Sequence, residues 1–255
     1  AGVVAGDEFA TEKTTRGFLS NGISYETTID GGEGNEEFVV FRNKAILNLN
    51  GDAGDDTFTV RAFAKEGSTT TNVGTGSGNN TVEYVVNAQL NINGGTGIDT
   101  LRVIGTEFDD QFVVGARGIF GAGINLSYKN IENVEIDGAE GNDRFYILGT
   151  STTPGVKTTV FGGVGSDDFR ISGDVDLDMF KVNGSRKVPD ALPLSTHKAS
   201  SIKGALVVDG FGGSGSAGGL GTPVMLPGET NIQPSDGKII EFPQDNDADA
   251  VDSMT

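Results

Sequence analysis

The sequence predicts an all-β chain wound as a parallel β-solenoid of β-roll or β-helix type, on three observations. First, a glycine-rich turn recurs seven times, each closing with an acid or amide two residues before a large apolar residue. Second, short stretches on either side of these turns alternate apolar and polar residues, the period of a strand with one buried face. Third, the turns are spaced so that strand, turn, strand, turn fills one repeating unit. Such a unit cannot bury its apolar edge alone, but a stack of them can.

The turns are Gly31-Gly-Glu-Gly-Asn-Glu-Glu-Phe38, Gly51-Asp-Ala-Gly-Asp-Asp-Thr-Phe58, Thr75-Gly-Ser-Gly-Asn-Asn-Thr-Val82, Gly94-Gly-Thr-Gly-Ile-Asp-Thr-Leu101, Gly105-Thr-Glu-Phe-Asp-Asp-Gln-Phe112, Gly138-Ala-Glu-Gly-Asn-Asp-Arg-Phe145 and Gly162-Gly-Val-Gly-Ser-Asp-Asp-Phe169. Their starts lie 20, 24, 19, 11, 33 and 24 residues apart, and the 11 and 33 together make two units of 22. Apolar residues precede the turns at Ile29, Leu47, Leu49, Leu90, Ile92, Val134, Ile136 and Val160, and follow them at Phe38, Phe58, Val60, Leu101, Val103, Phe145, Ile147 and Phe169. Helix is disfavoured because glycine, asparagine and β-branched residues dominate and no long 3.6-residue stripe appears.

A longer repeat is superimposed. Asp7-Glu-Phe9, Ile23-Ser-Tyr25 and Thr28-Ile-Asp-Gly31 recur as Asp110-Gln-Phe112, Leu126-Ser-Tyr128 and Glu135-Ile-Asp-Gly138, offset by 103 residues at the start and 107 at the turn. The second copy carries a longer excursion around Gly115 to Gly123. The expected organisation is a first module over 1–103, a second over 104–180, a degenerate third or cap over 181–225 opened by Ile202 to Asp209, and a tail or linker over 226–255. Gly210 to Gly221 reads as a connector, and the acidic run Asp245 to Asp252 as a solvated tail.

Composition narrows the chemistry. Forty glycines, seven prolines and 36% hydrophobic residues without an every-third-residue glycine exclude collagen and describe many turns around an apolar interior. A net charge of −18, from 36 acidic and 18 basic residues, repels nucleic acid and anionic lipid and attracts cations. Without cysteine there is neither disulfide nor thiolate metal site. No apolar run approaches the roughly 20 residues of a membrane helix, so no membrane insertion is expected. Ala1-Gly-Val-Val carries no start methionine or leader, and the chain reads as a piece of a longer one, extracellular or at a cell surface.

The turns resemble the haemolysin-type, or RTX, calcium-binding repeat, whose nonapeptide is Gly-Gly-x-Gly-x-Asp-x-apolar-x. Gly94 to Leu101 and Gly162 to Phe169 match every specified position. The resemblance, over roughly residues 25 to 173, implies that the glycines turn carbonyls inward and that the aspartates join them around Ca²⁺. Carried over by position, the ligands are Asp56, Asp99, Asp110, Asp143 and Asp167. Glu36 and Asn80 stand at the aspartate position of the first and third turns, and Phe108 replaces a glycine in the fifth, so these three sites are expected to be weaker or empty. Asp30 and Asp137, just before their turns, are either additional ligands or caps of the turn itself. One turn per unit of about 20 residues, rather than nonapeptides back to back, places the calcium along one edge only.

Calcium also follows from electrostatics. Stacked strands lie ~4.8 Å apart, so aligned carboxylates repel by about 1 kcal/mol each in water and by more at lower effective dielectric. A shared hard cation converts that repulsion into attraction, and oxygen donors with a single histidine favour Ca²⁺ over zinc or copper. A metal-free stack with glycine and asparagine serving turn geometry alone is the alternative.

Other motifs carry less. Asp174-Val-Asp-Leu-Asp178 begins like an EF-hand loop, but Met179 stands where glycine is required and Ser185 where the bidentate glutamate belongs. Gly213-Ser-Gly-Ser-Ala-Gly218 imitates a dinucleotide fingerprint with no helix after it. His197 has no acid–nucleophile partner in sequence and reads as a surface residue. The expected function is a non-enzymatic structural segment (adhesin, stalk or matrix element) of a large secreted or surface bacterial protein that folds on binding calcium. Its partners are calcium, and further copies of itself or a surface polysaccharide. The alternative is an accessory segment of an extracellular enzyme acting on polysaccharide or lipid.

Overall fold

A computed structural model describes residues 11–20, 22–68, 82–171, 199–210 and 253–254, with the backbone of 181–182 and 185–186. The third turn with Asn80, the EF-hand-like stretch, the fingerprint-like stretch, His197 and the acidic run lie outside the described residues. Within them the chain is all-β, with no α-helix, and no helix is long and apolar enough to cross a membrane.

The chain opens with a hairpin of β1 (Thr11–Thr14) and β2 (Gly17–Ser20). It then alternates between two sheets: β3 (Thr27–Glu33), β4 (Glu37–Val40), β5 (Leu47–Ala53), β6 (Thr57–Arg61), β7 (Leu90–Thr96) and β8 (Thr100–Ile104). Three strands in succession follow, β9 (Gln111–Gly115), β10 (Gly118–Gly121) and β11 (Ile124–Lys129), before alternation resumes with β12 (Asn133–Asp137), β13 (Arg144–Ile147), β14 (Lys157–Phe161) and β15 (Asp168–Ile171). A small hairpin, β16 (Lys181–Val182) with β17 (Ser185–Arg186), precedes β18 (Ala205–Asp209) and β19 (Ser253–Met254). One sheet has six strands in the order β18-β14-β12-β8-β6-β4, the other nine in the order β19-β15-β13-β9-β10-β11-β7-β5-β3.

All pairs in the six-stranded sheet are parallel. In the nine-stranded sheet only β10 runs against its neighbours, β9 and β11. Parallel pairing in unbroken register stacks equivalent residues. Phe38, Phe58, Leu101 and Val134 form one row of the six-stranded sheet, and Val40, Val60, Val103, Ile136, Val160 and Val208 another. Phe112, Phe145 and Phe169 form a row in the nine-stranded sheet, with ring centroids 5.7 and 5.1 Å apart and near-parallel planes. Alternation in the sequence becomes alternation in burial: Leu47, Leu49, Leu90, Ile92 and Leu126 point inward while the intervening asparagines and serine do not. One apolar cluster draws residues from both sheets.

The glycine turns change sides along the chain. Those at Gly31, Gly51 and Gly94 lead from the nine-stranded sheet into the six-stranded one, and those at Gly105, Gly138 and Gly162 lead the other way, so the exchange precedes the β9–β10–β11 excursion. The residues before the second module's turns therefore stack on those after the first module's turns, as Val134 on Leu101 and Ile136 on Val103. The 11-residue step in the turn spacing is the half-unit at which this exchange begins. β18 and β19, within the stretches read as third module and tail, extend the two sheets by pairing with β14 and β15.

Candidate metal centre: two columns of buried carboxylates

Each turn among the described residues begins with a glycine that cannot be replaced without collision. A Cβ on Gly51 would lie 2.0 Å from Asp56 Oδ2 and 2.5 Å from the Gly94 carbonyl oxygen; on Gly94, 2.4 Å from Asp99 Oδ2 and 2.0 Å from the Asn130 carbonyl oxygen. Gly138 with Asp143 and the Gly162 carbonyl, and Gly162 with Asp167 and the Gly210 carbonyl, repeat the arrangement. The acid thus folds back over its own turn's first glycine, beside a carbonyl of the neighbouring turn. At the fourth position the glycines take φ between 121° and 144°, at Gly34, Gly54, Gly97, Gly141 and Gly165, a region closed to most side chains.

The acids form two columns rather than the single edge expected. Asp56 Oδ1 accepts the Glu36 backbone N–H (2.8 Å), Asp99 Oδ1 that of Asp56 (2.8 Å), and Glu132 Oε2 that of Asp99 (2.9 Å). This column stands where the chain enters the six-stranded sheet. The other stands where it leaves that sheet: Asp143 Oδ1 accepts the Asp110 N–H (2.7 Å) and Asp167 Oδ1 the Asp143 N–H (2.8 Å). The exchange of sides between the turns at Gly94 and Gly105 separates the two. Asp56, Asp99, Asp110, Asp143 and Asp167 are all at most 1% exposed, whereas Glu36 is half-buried.

Burial of this kind disfavours ionisation. Asp99 is pushed above the usual carboxylate range by burial, with repulsion from Asp56 and Glu132 added and the Asp56 N–H opposing. Burial raises Asp110 to about 7 against hydrogen bonds from Thr106 and Tyr84. Asp143 is raised well above its ordinary value by burial and by the charges of Asp110 and Asp167. Glu36 is raised by desolvation and by Asp56.

The second oxygen of each acid carries the chemical question. Oδ2 of Asp56, Asp99, Asp143 and Asp167, and Oε2 of Glu36, are buried without a hydrogen-bond donor. Asp110 differs: Thr106 donates its N–H to Oδ2 (2.6 Å) and its hydroxyl to Oδ1 (3.0 Å). Phe108, in place of the usual glycine, leaves this turn without a positive φ, and Thr106 closes it instead. The carboxylate most fully satisfied by the protein therefore belongs to a turn expected to hold metal poorly.

Asp137 and Asp30 stand apart from the columns. Asp137 is buried and its Oδ1 accepts the Ala139 N–H (2.9 Å), capping its own turn. Asp30 is exposed and accepts from the Asn50 amide (2.6 Å) on the outer face of the nine-stranded sheet.

Sequence reasoning missed two features. Glu132 extends the first column although no glycine turn precedes it. An outer ladder accompanies the inner one: Asn35 Oδ1 accepts the Asp55 N–H and Asp55 Oδ1 the Ile98 N–H, as Asp109 does for Asn142 and Asn142 for Ser166. Its signal was present as the asparagine or aspartate at the fifth place of most turns.

Among the described residues no three acids or histidines converge on a single point. The available donors are one orphaned carboxylate oxygen in each described turn except that of Asp110, with a neighbouring carbonyl, all hard oxygen, which suits Ca²⁺ and gives a softer metal nothing to prefer. The chain matches no family model, no curated protein and no solved structure.

Proposed function

We propose that the two sheets are the walls of a parallel β-solenoid and that the chain is a non-enzymatic structural segment, an adhesin, stalk or matrix element, of a large secreted or surface-attached bacterial protein, its acid columns occupied by calcium. The observation that carries this reading is the set of orphaned buried oxygens on Glu36, Asp56, Asp99, Asp143 and Asp167. A buried polar atom without a partner costs about 1–3 kcal/mol, and more when charged. Three in one column and two in the other are a debt that divalent cations discharge. Asp56, Asp99, Asp143 and Asp167 would hold the ions with carbonyl oxygens of the glycine turns, Glu36 and Asn80 contributing where they replace aspartate. Asp110 would hold one only in competition with Thr106. The ion supplies charge neutralisation between stacked turns, while the protein's own ladders set the spacing. An ion held only in the folded state contributes its binding free energy to folding, and extracellular modules of this type bind at roughly 0.1 to 1 mM.

A second reading is favoured by one observation. Asp56, Asp99, Asp143 and Asp167 each already accept a backbone N–H from the adjacent turn, so the columns can stand as a metal-free ladder whose carboxyls take up protons. Calorimetric titration with Ca²⁺ and with Mg²⁺, on the intact chain and on one carrying Asp99→Ala and Asp167→Ala, separates the two. The calcium reading predicts uptake that Mg²⁺ does not reproduce and that falls in the variant. Absence of calcium heat, or identical heat from the variant, contradicts it. As an accessory segment of an extracellular enzyme the chain would behave identically in this experiment, and the parent chain's other domains distinguish that role.

A further inference from the structure

The outer face of the nine-stranded sheet carries a second polar array, independent of the acid columns. Thr28, Asn48, Asn91 and Ser127 stand in register across β3, β5, β7 and β11, and two residues further on stand Asp30, Asn50, Asn93 and Lys129. The amides are chained. Asn91 donates to Asn48 Oδ1 (2.8 Å) and Ser127 to Asn91 Oδ1 (2.7 Å), while Asn130 donates to Asn93 Oδ1 (2.8 Å). A carboxamide has two N–H donors and two acceptor sites. A link of the chain uses one of each, so Asn48 and Asn93 keep a donor and an acceptor for a ligand; Asn91 Oδ1 also accepts from Gln89 (3.2 Å), and that amide keeps a donor alone. Apart from Asp30, these rows floor a groove of about 870 Å³ whose walls include the tip of the β9–β10 hairpin at Arg117 and the connection between β13 and β14 at Ser151 and Thr153.

The charge in the groove opposes that of the chain. Arg117 and Lys129 are exposed, both line the groove, and among the described residues neither is in an ion pair. Glu132 also lines it, but its Oε2 is engaged by the Asp99 N–H. In a protein of net charge −18, two uncommitted cations beside a row of donor–acceptor amides match a polymer bearing carboxylates and many hydroxyls. At about 0.15 M salt the screening length is ~8 Å, so the chain's distant acids do not cancel this local field.

We infer that this groove binds an acidic polysaccharide, a uronate chain whose carboxylates meet Arg117 and Lys129 and whose hydroxyls run along the asparagine rows. An amide ladder that merely stiffens the sheet is the competing account, and it needs neither cation. The test is isothermal titration of the intact chain, in calcium at physiological salt, with a galacturonate tetramer, using the galacturonate monomer and acetate as controls and subtracting the heat of each titrant into the calcium buffer alone. The tetramer is expected to bind and both controls to fail. The Arg117→Gln, Lys129→Gln pair should weaken tetramer binding at least tenfold, while Lys44→Gln with Lys203→Gln, which makes the same charge change away from the groove, should leave it unaltered. The inference is overturned by a tetramer that does not bind, by acetate binding equally well, or by equal effects of the two pairs. Circular dichroism of each variant checks that the fold is retained. A failure here leaves the calcium reading untouched, because the calcium titration of the aspartate variants is read separately.

Discussion

Asp99 shows what a single residue does in these turns. Its Oδ1 holds the Asp56 N–H while its Oδ2 has no donor, so one side chain both satisfies a backbone and carries an unanswered charge. The two roles separate by substitution. Asp99→Asn keeps an acceptor oxygen and removes the charge; in chelator it is expected to melt higher than the parent, and in calcium to melt lower. Asp99→Ala removes the acceptor too and should destabilise the chain in both conditions, by about 1–3 kcal/mol, measured by denaturant unfolding. Glycine positions divide in the same way. At Gly94 the conformation is ordinary but a Cβ would collide with the Asn130 carbonyl and Asp99, so Gly94→Ala should cost at least the roughly 1–3 kcal/mol of an overpacked core. Gly32 has φ of 100° but open space around it, and Gly32→Ala should cost only the backbone term, about 1–2 kcal/mol.

At the scale of the element, the turn and its flanking strands were legible because both obey local rules. Glycine at the fourth place answers a positive φ, and alternation such as Leu90-Asn-Ile-Asn93 answers a sheet with one buried face. The separation into two columns was not legible. The 11-residue step was summed with the next into two units of 22, whereas it marks two glycine turns, at Gly94 and Gly105, on either side of the single strand β8. Pairing across sequence distances of 33 or 43 residues decides this, and no local signal reports it. The asparagine rows were visible only as the polar half of an alternation, since their meaning depends on β5, β7 and β11 lying side by side. The second column also makes a pH prediction. Asp110 at about 7 and Asp143 well above its usual value bind protons more tightly folded than unfolded, where an aspartate titrates near 3.9. In chelator their contribution is therefore fully present below about pH 4 and is lost as pH rises through about 7. Thermal melts in chelator should fall across that window, and melts in saturating calcium should not.

For the whole molecule, composition anticipated more than it could localise. A charge of −18 with no cysteine pointed to oxygen-bound cations, and the structure concentrates part of that charge in columns at the two ends of the six-stranded sheet. In between, the packed rows of Phe58, Leu101 and Val134, and of Phe112, Phe145 and Phe169, hold the sheets without metal. The account therefore assigns the core to apolar packing and the turns to the ion, so removing calcium should loosen the turns and, through them, the register of both sheets. The most direct measurement is far-UV circular dichroism of the intact chain through a thermal melt, first in chelator and then after adding calcium to millimolar excess, with magnesium in parallel. The account predicts reduced strand signal or a lowered midpoint in chelator, restored by calcium and not by magnesium; the same spectrum and midpoint in all three conditions would contradict it.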